Sequence, residues 1–151
     1  MNRAIEWSAT TVAACLALTW LGLAVAPAGE AGAATRTISM SAADAFERMG
    51  DKNLLSIAYL AYALIETAKE EWARADAWFE KSAAILDDAG MPADRGWVYL
   101  EWSLSCIERG DEAAARQHLQ TALASYGEAG IEYRVESIEK MLAEIECTEA
   151  K

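Results

Sequence analysis

Positive charge is scarce in this sequence: 13 Lys and Arg stand against 24 Asp and Glu, a formal net charge of −11. A field of that sign repels phosphate backbones and anionic headgroups, so no nucleic-acid partner is expected. Histidine is reduced to His118, and no His or Cys cluster has the spacing of a metal site. A glycine-rich phosphate loop and a Gly-x-Ser-x-Gly turn are both missing. Carboxylates fall singly beside basic neighbours, as at Glu80-Lys81 and Glu139-Lys140. That is the pattern of a solvated helix face, not of a paired acid and base. Neither an enzyme nor a cofactor is expected. Proline is confined to Pro27 and Pro92, which leaves long stretches free to form helices. No strand-like alternation occurs anywhere, so the fold class read from the chain is all-α.

The leader, residues 1–28, carries only Arg3 and Glu6 as charges, so the whole excess of −11 belongs to residues 29–151. Residues 9–28, ATTVAACLALTWLGLAVAPA, hold no charge, and roughly 20 apolar residues suffice to cross a bilayer as a helix. The same run fits an export signal with Arg3 ahead of it and small residues behind. Cleavage after Ala28 would place Ala26 and Ala28 at the specificity positions, and cleavage after Ala33 would place Ala31 and Ala33 there. A cleaved signal peptide and an uncleaved membrane anchor both stand as readings of residues 1–28. VAAC, Val12 to Cys15, has the look of a lipobox, but the strongest apolar part follows Cys15 and Glu6 interrupts what precedes it. Residues 29–40, GEAGAATRTISM, read as a linker, and residues 41–151 as the folded region.

Within that region Ser41 followed by AADAFERM predicts a short capped helix that Gly50 stops. Leu54 to Glu66 is apolar on almost every side, as in a helix flanked by neighbours on both sides. After a turn at Lys69–Glu71 comes the amphipathic segment EWARADAWFEKSAAILDDAG, ended by Gly90 and the Met91-Pro92 connection. The pattern then recurs: an apolar helix from about Asp94 to Glu108, a turn at Arg109-Gly110-Asp111, and an amphipathic helix to Tyr126. A last helix sets Ile131, Val135, Ile138, Leu142 and Ile145 on one face.

Ala75, Phe79 and Ser82 align with Ala115, Leu119 and Ala122, each set spaced four then three, and the second set follows the first by forty positions. With the Gly110-Asp111 turn between paired helices, this pattern resembles the tetratricopeptide repeat family. The resemblance implies a short right-handed solenoid of helical hairpins, with repeats at about 53–90 and 94–127 and a capping helix at 131–147. Residues 41–50 would be the remnant second helix of an earlier pair. Two features depart from the family: Glu66 stands where a large apolar residue is usual, and the first turn, AKEE, lacks glycine. The spacing of forty also exceeds the family's usual ~34 residues.

The resemblance also assigns roles. Ala75, Phe79, Ala115, Leu119 and Ala122, with Ala63 and Ser103 in the first helices, would pack where helix axes come close. Peptide-binding members use exposed positions of their first helices. In register these are Leu60 and Leu64, then Trp97, Leu100, Leu104 and Glu108, with core packing as the alternative for each. His118 falls at the edge of an amphipathic face, where packing is its expected role. Cys106 and Cys147 are separated by close to one repeat, near the ends of helices that run roughly parallel in such arrays. They would face each other and form a disulfide that pins the capping helix, or else Cys106 is a small buried thiol and Cys147 a frayed one.

The function implied is a non-catalytic protein–protein interaction module, an adaptor or assembly factor, exported or tethered outside the cytoplasm of a bacterium. The alternative is a single-pass accessory subunit of a membrane protein complex, with residues 9–28 uncleaved.

Overall fold

The computed structural model describes the backbone of residues 43–149 and the side chains of residues 43–145. The leader at 1–28 and the linker at 29–40 lie outside the described residues, as does the capping Ser41. What is described is all-α, with no strand among the described residues. Helix α1 covers 43–49. It is followed by α2 (Lys52–Thr67), α3 (Trp72–Ala89), α4 (Pro92–Glu108), α5 (Glu112–Glu128) and α6 (Glu132–Glu149). No helix among them is long and apolar enough to cross a membrane.

Helices of 16 to 18 residues alternate with short links on a strict period. Gly50, Glu70, Gly90, Gly110 and Gly130, evenly spaced at intervals of twenty, all have φ between 61° and 78°. At each, the following amide donates to the carbonyl five positions back: Asp51 to Phe46, Glu71 to Glu66, Met91 to Leu86, Asp111 to Cys106 and Ile131 to Tyr126. This is the Schellman closure, which satisfies carbonyls that a helix end leaves open. The same turn therefore recurs every twenty residues, with a helix between each pair.

The residue after each turn starts the next helix. Asp51 and Asp111 accept from the amides of Leu54 and Ala114, both at 3.0 Å, and so hold donors at the N-termini of α2 and α5. Met91 and Ile131, equivalent positions of successive repeats, cap nothing with their side chains; instead they pack onto the cores. Pro92 opens α4 at its first turn, where a missing amide proton costs nothing.

Helix α2 packs along α3, and α4 along α5; α3 then lies against α4, and α5 against α6. Helix α2 also touches α4, whereas no comparable approach joins α4 to α6. One core gathers Leu60, Ala63, Ala75, Phe79, Leu86 and Val98. A second gathers Cys106, Ala115, Leu119, Ala122, Tyr126 and Ile138. Trp97, Tyr99 and Trp102 of α4 pack against both, so α4 joins the two hairpins. Helix α1 closes the other side of α2, where Ala43 meets Ala58 and Tyr62 with Phe46 beside them.

Small side chains set the helix spacing. Ala63, Ala75, Ser82, Ser103, Ala115, Ala122 and Ser125 are wholly buried, as are Phe79 and Leu119. Burying a ring such as that of Phe79 contributes about 1.5–3 kcal/mol, but only if neighbouring backbones can close on it, which residues without bulk permit. Ser82 remains polar there because its hydroxyl donates to the Ser56 carbonyl at 2.8 Å. Glu66 is buried at the helix position that Leu86 and Tyr126 fill later, and it faces Lys69 at 3.5 Å and Arg74 at 3.9 Å.

Candidate functional site

Two faces of α4 offer different chemistry. Trp97, Leu100, Leu104, Ile107 and Glu108 share one face, by the roughly 100° that each helical residue turns. Trp97, Leu100 and Leu104 are half-buried there and Glu108 is exposed. Ile107 is 41 % exposed, as is Ile57, the α2 residue one repeat before Trp97. Leu64 is half-buried beside it. Of the two roles expected for Leu60, groove or core, it takes the core: it lies inside the first cluster, where α4 approaches α2 closely enough to cover it. Its equivalent Leu100 stays partly open because α6 does not approach α4 in the same way. The exposed pair Ile57 and Ile107 escaped sequence reasoning, although the repeat register through Trp97 would have pointed to Ile57.

Trp97 does not present its indole N–H outward. It donates to Glu101 Oε1 at 3.1 Å, and Glu101 is itself buried. Burial pushes the Glu101 carboxyl above its ordinary range, against the Trp97 hydrogen bond and the Arg134 charge that pull it down.

About half a turn around α4 lie Tyr99 and Trp102. His118 of α5 stacks on Trp102 with ring centroids 4.0 Å apart, and on Tyr99 at 5.9 Å. The same three-ring stack exists one repeat earlier: Trp78 lies 4.7 Å from Tyr62 and 5.4 Å from Tyr59. His118 is thus the repeat equivalent of Trp78. Burial lowers its pKa, with Asp76 opposing and Arg109 adding to the shift, so the ring is neutral at neutral pH.

Beneath this stack Asp76 of α3 accepts from Trp102 Nε1 at 2.6 Å and from Arg109 Nη1 at 2.7 Å. Arg109 also reaches Asp111 at 3.4 Å and Cys106 Sγ at 3.3 Å. These bonds tie α3 to the α4–α5 turn. Cys106 is wholly buried and free, and its burial pushes the thiol up to about 11, so the reactive thiolate is rare. The side chain of Cys147, its suggested partner, lies outside the described residues. Arg95 ties the hairpins a second time, donating to Asp87 at 2.7 Å, Glu128 at 2.8 Å and Ser125 at 2.9 Å.

Above the stack, between α3 and α5, opens a cavity of about 310 Å³ lined by Glu80, Asp87, Tyr99, Trp102, His118 and Thr121. Among the described residues no group of three or more His, Cys, Asp or Glu is arranged to hold a metal ion. Comparison of the chain with protein-family models, with curated proteins and with solved structures finds no match.

Proposed function

We propose that this chain is a non-catalytic protein-binding module, a short right-handed solenoid of tetratricopeptide-type hairpins that acts outside the cytoplasm. The solenoid reading is supported by turns, caps and ring stacks that recur from one hairpin to the next, and by helices that pack mainly on their sequence neighbours. The binding role rests on one observation: the α2 and α4 face leaves Ile57, Leu64, Leu100, Leu104 and Ile107 incompletely covered. Apolar side chains left open in a row along adjacent helices form a surface that a partner helix or extended segment buries.

The uncharged run at 9–28 supports export, with the module either released or held at the membrane. N-terminal sequencing of the native protein separates the two: a start near Gly29 or Ala34 means release, and an intact Met1 in the membrane fraction means an anchor.

The binding role is tested by capture from solubilised membranes with the wild type and with Ile57→Asp/Leu104→Asp. Loss of a specific co-purifying protein in the variant, with the helical circular dichroism intact, is the expected result. Equal capture by both would remove this face from consideration.

A further inference from the structure

The two ring stacks occupy equivalent positions but differ in the cation beside them. In the first, Lys81 Nζ sits over the Trp78 ring, 4.2 Å from its centroid. One repeat on, Trp78 becomes His118 and Lys81 becomes Thr121, so the second stack has no built-in cation at that place. What stands there is the cavity of about 310 Å³, open between α3 and α5. From the geometry we infer that this cavity receives the ammonium of a lysine side chain supplied by a protein partner.

Three features make the cavity fit that group. Tyr99 and Trp102 are among the residues that line it, and an ammonium is attracted to the electron-rich face of such rings. Its α3 wall carries Glu80 and Asp87. Glu80 is exposed and makes no ion pair with another described residue; Asp87 has Oδ1 engaged by Arg95 and Oδ2 left for a second cation. Its remaining ring, His118, brings no charge at neutral pH to repel a cation. The groups acting on that ring come from each neighbour: Asp76 on α3, Arg109 at the end of α4, and Asp111 in the turn before α5. The net charge of −11 draws a basic segment toward the surface from a distance.

Lysine fits better than arginine. Glu80 and Asp87 stand on one helix, about two turns apart, and so do not offer the paired oxygens that a guanidinium fork uses. A compact ammonium on a flexible stem is also what the first stack already holds. The proposal goes beyond the α2–α4 face: the two surfaces lie on opposite sides of α4, and either can fail alone.

His118 is the only histidine in the chain, so its ring protons report on the cavity without ambiguity. The experiment follows them by NMR in the untagged protein, at about pH 7.5, while titrating end-blocked Ala/Ser peptides that differ at one central residue. The peptide with lysine is expected to shift the His118 ring signals with saturation, about tenfold more tightly than the norleucine peptide. Thr121→Lys, which restores the cation of the first stack, is expected to weaken lysine-peptide binding by about tenfold, while Thr121→Gln leaves it unchanged. Each variant's fold is checked by its melting curve. Equal shifts with lysine and norleucine would make this an apolar slot; tighter binding of the arginine peptide would make it a guanidinium site. Either outcome, or unaltered lysine binding by a folded Thr121→Lys protein, overturns the proposal, as does the absence of any shift.

Discussion

Glu70 holds the left-handed backbone that Gly110 holds one repeat later, at φ of 61° and 78°. Four of the five turns meet this geometry with glycine, and the α2–α3 turn meets it with an exposed glutamate. A β-carbon in that region is crowded by the following carbonyl, at a cost of about 1–2 kcal/mol. Glycine avoids the crowding but loses about 0.5–1 kcal/mol in added freedom of the unfolded chain. The first effect is the larger. Glu70→Gly is therefore expected to stabilise the protein by about 0.5–1 kcal/mol, read as a higher urea midpoint with the slope of the transition unchanged. A lower midpoint would show that the Glu70 side chain contributes more than its backbone costs.

That turn marks where sequence reading reaches its limit. The small residues at Ala75, Ser82, Ala115 and Ala122 and the Gly110-Asp111 turn carried the repeat spacing in plain view, because steric rules act on them locally. At AKEE the tertiary fold imposes on Glu70 a conformation its own propensity disfavours, so no local signal exists. Leu60 and Leu100 occupy equivalent positions and differ only in whether the next first helix comes close, which is a property of the assembled helices. The match between Trp78 and His118 was hidden for another reason. The two residues share a flat aromatic ring that stacks, but one is a large apolar indole and the other a small polar imidazole, so a hydrophobic pattern does not pair them.

Gly96 lies where α4 meets the ring of Tyr126. A β-carbon there would come within 3.1 Å of three ring atoms of Tyr126. In an unconstrained helix Ala is favoured over Gly by about 0.8–1.0 kcal/mol. Overpacking a filled site costs about 1–3 kcal/mol, and Tyr126 is a stiff, buried side chain with little room to retreat. Gly96→Ala should therefore destabilise by about 1 kcal/mol despite its better propensity. Tyr126→Leu, which copies Leu86 of the first hairpin, should remove that penalty. In a double-mutant cycle the two changes then couple favourably, and strict additivity would exclude the clash.

His118 gives the fold a pH dependence with a definite sign. Its pKa in the folded protein lies below the ordinary 6.5, chiefly because burial disfavours the charged form, with Asp76 partly opposing. The unfolded chain therefore takes up the proton first as pH falls. The stability that depends on a neutral ring is complete above pH 6.5 and declines as pH drops below it toward the folded-state value. Burial raises the Glu101 carboxyl and works in the opposite sense, but that contribution is common to both proteins in a comparison. Unfolding free energy measured from about pH 7.5 to about pH 5 should thus fall more steeply for the wild type than for His118→Phe. Parallel curves would mean that the ring accepts its proton as readily folded as unfolded.

The closest approach of α4 and α5 can be tested with one added side chain. Ala115 is wholly buried beside Cys106 and Leu119, one turn into α5. Leucine and alanine differ little in helix propensity, so Ala115→Leu changes packing and almost nothing else. Ala115 is already wholly buried among packed neighbours, so the added carbons push α5 away from α4 or from α6, at about 1–3 kcal/mol. In a folded region of roughly 100 residues this lowers the melting temperature by about 5–15 °C. Ala124→Leu on the exposed side of the same helix is the control and should leave stability within about 0.5 kcal/mol of the wild type. Ala75→Leu, one repeat earlier and equally buried, should repeat the loss. If Ala115→Leu melts with the control, the spacing of these hairpins is set by something other than their alanines.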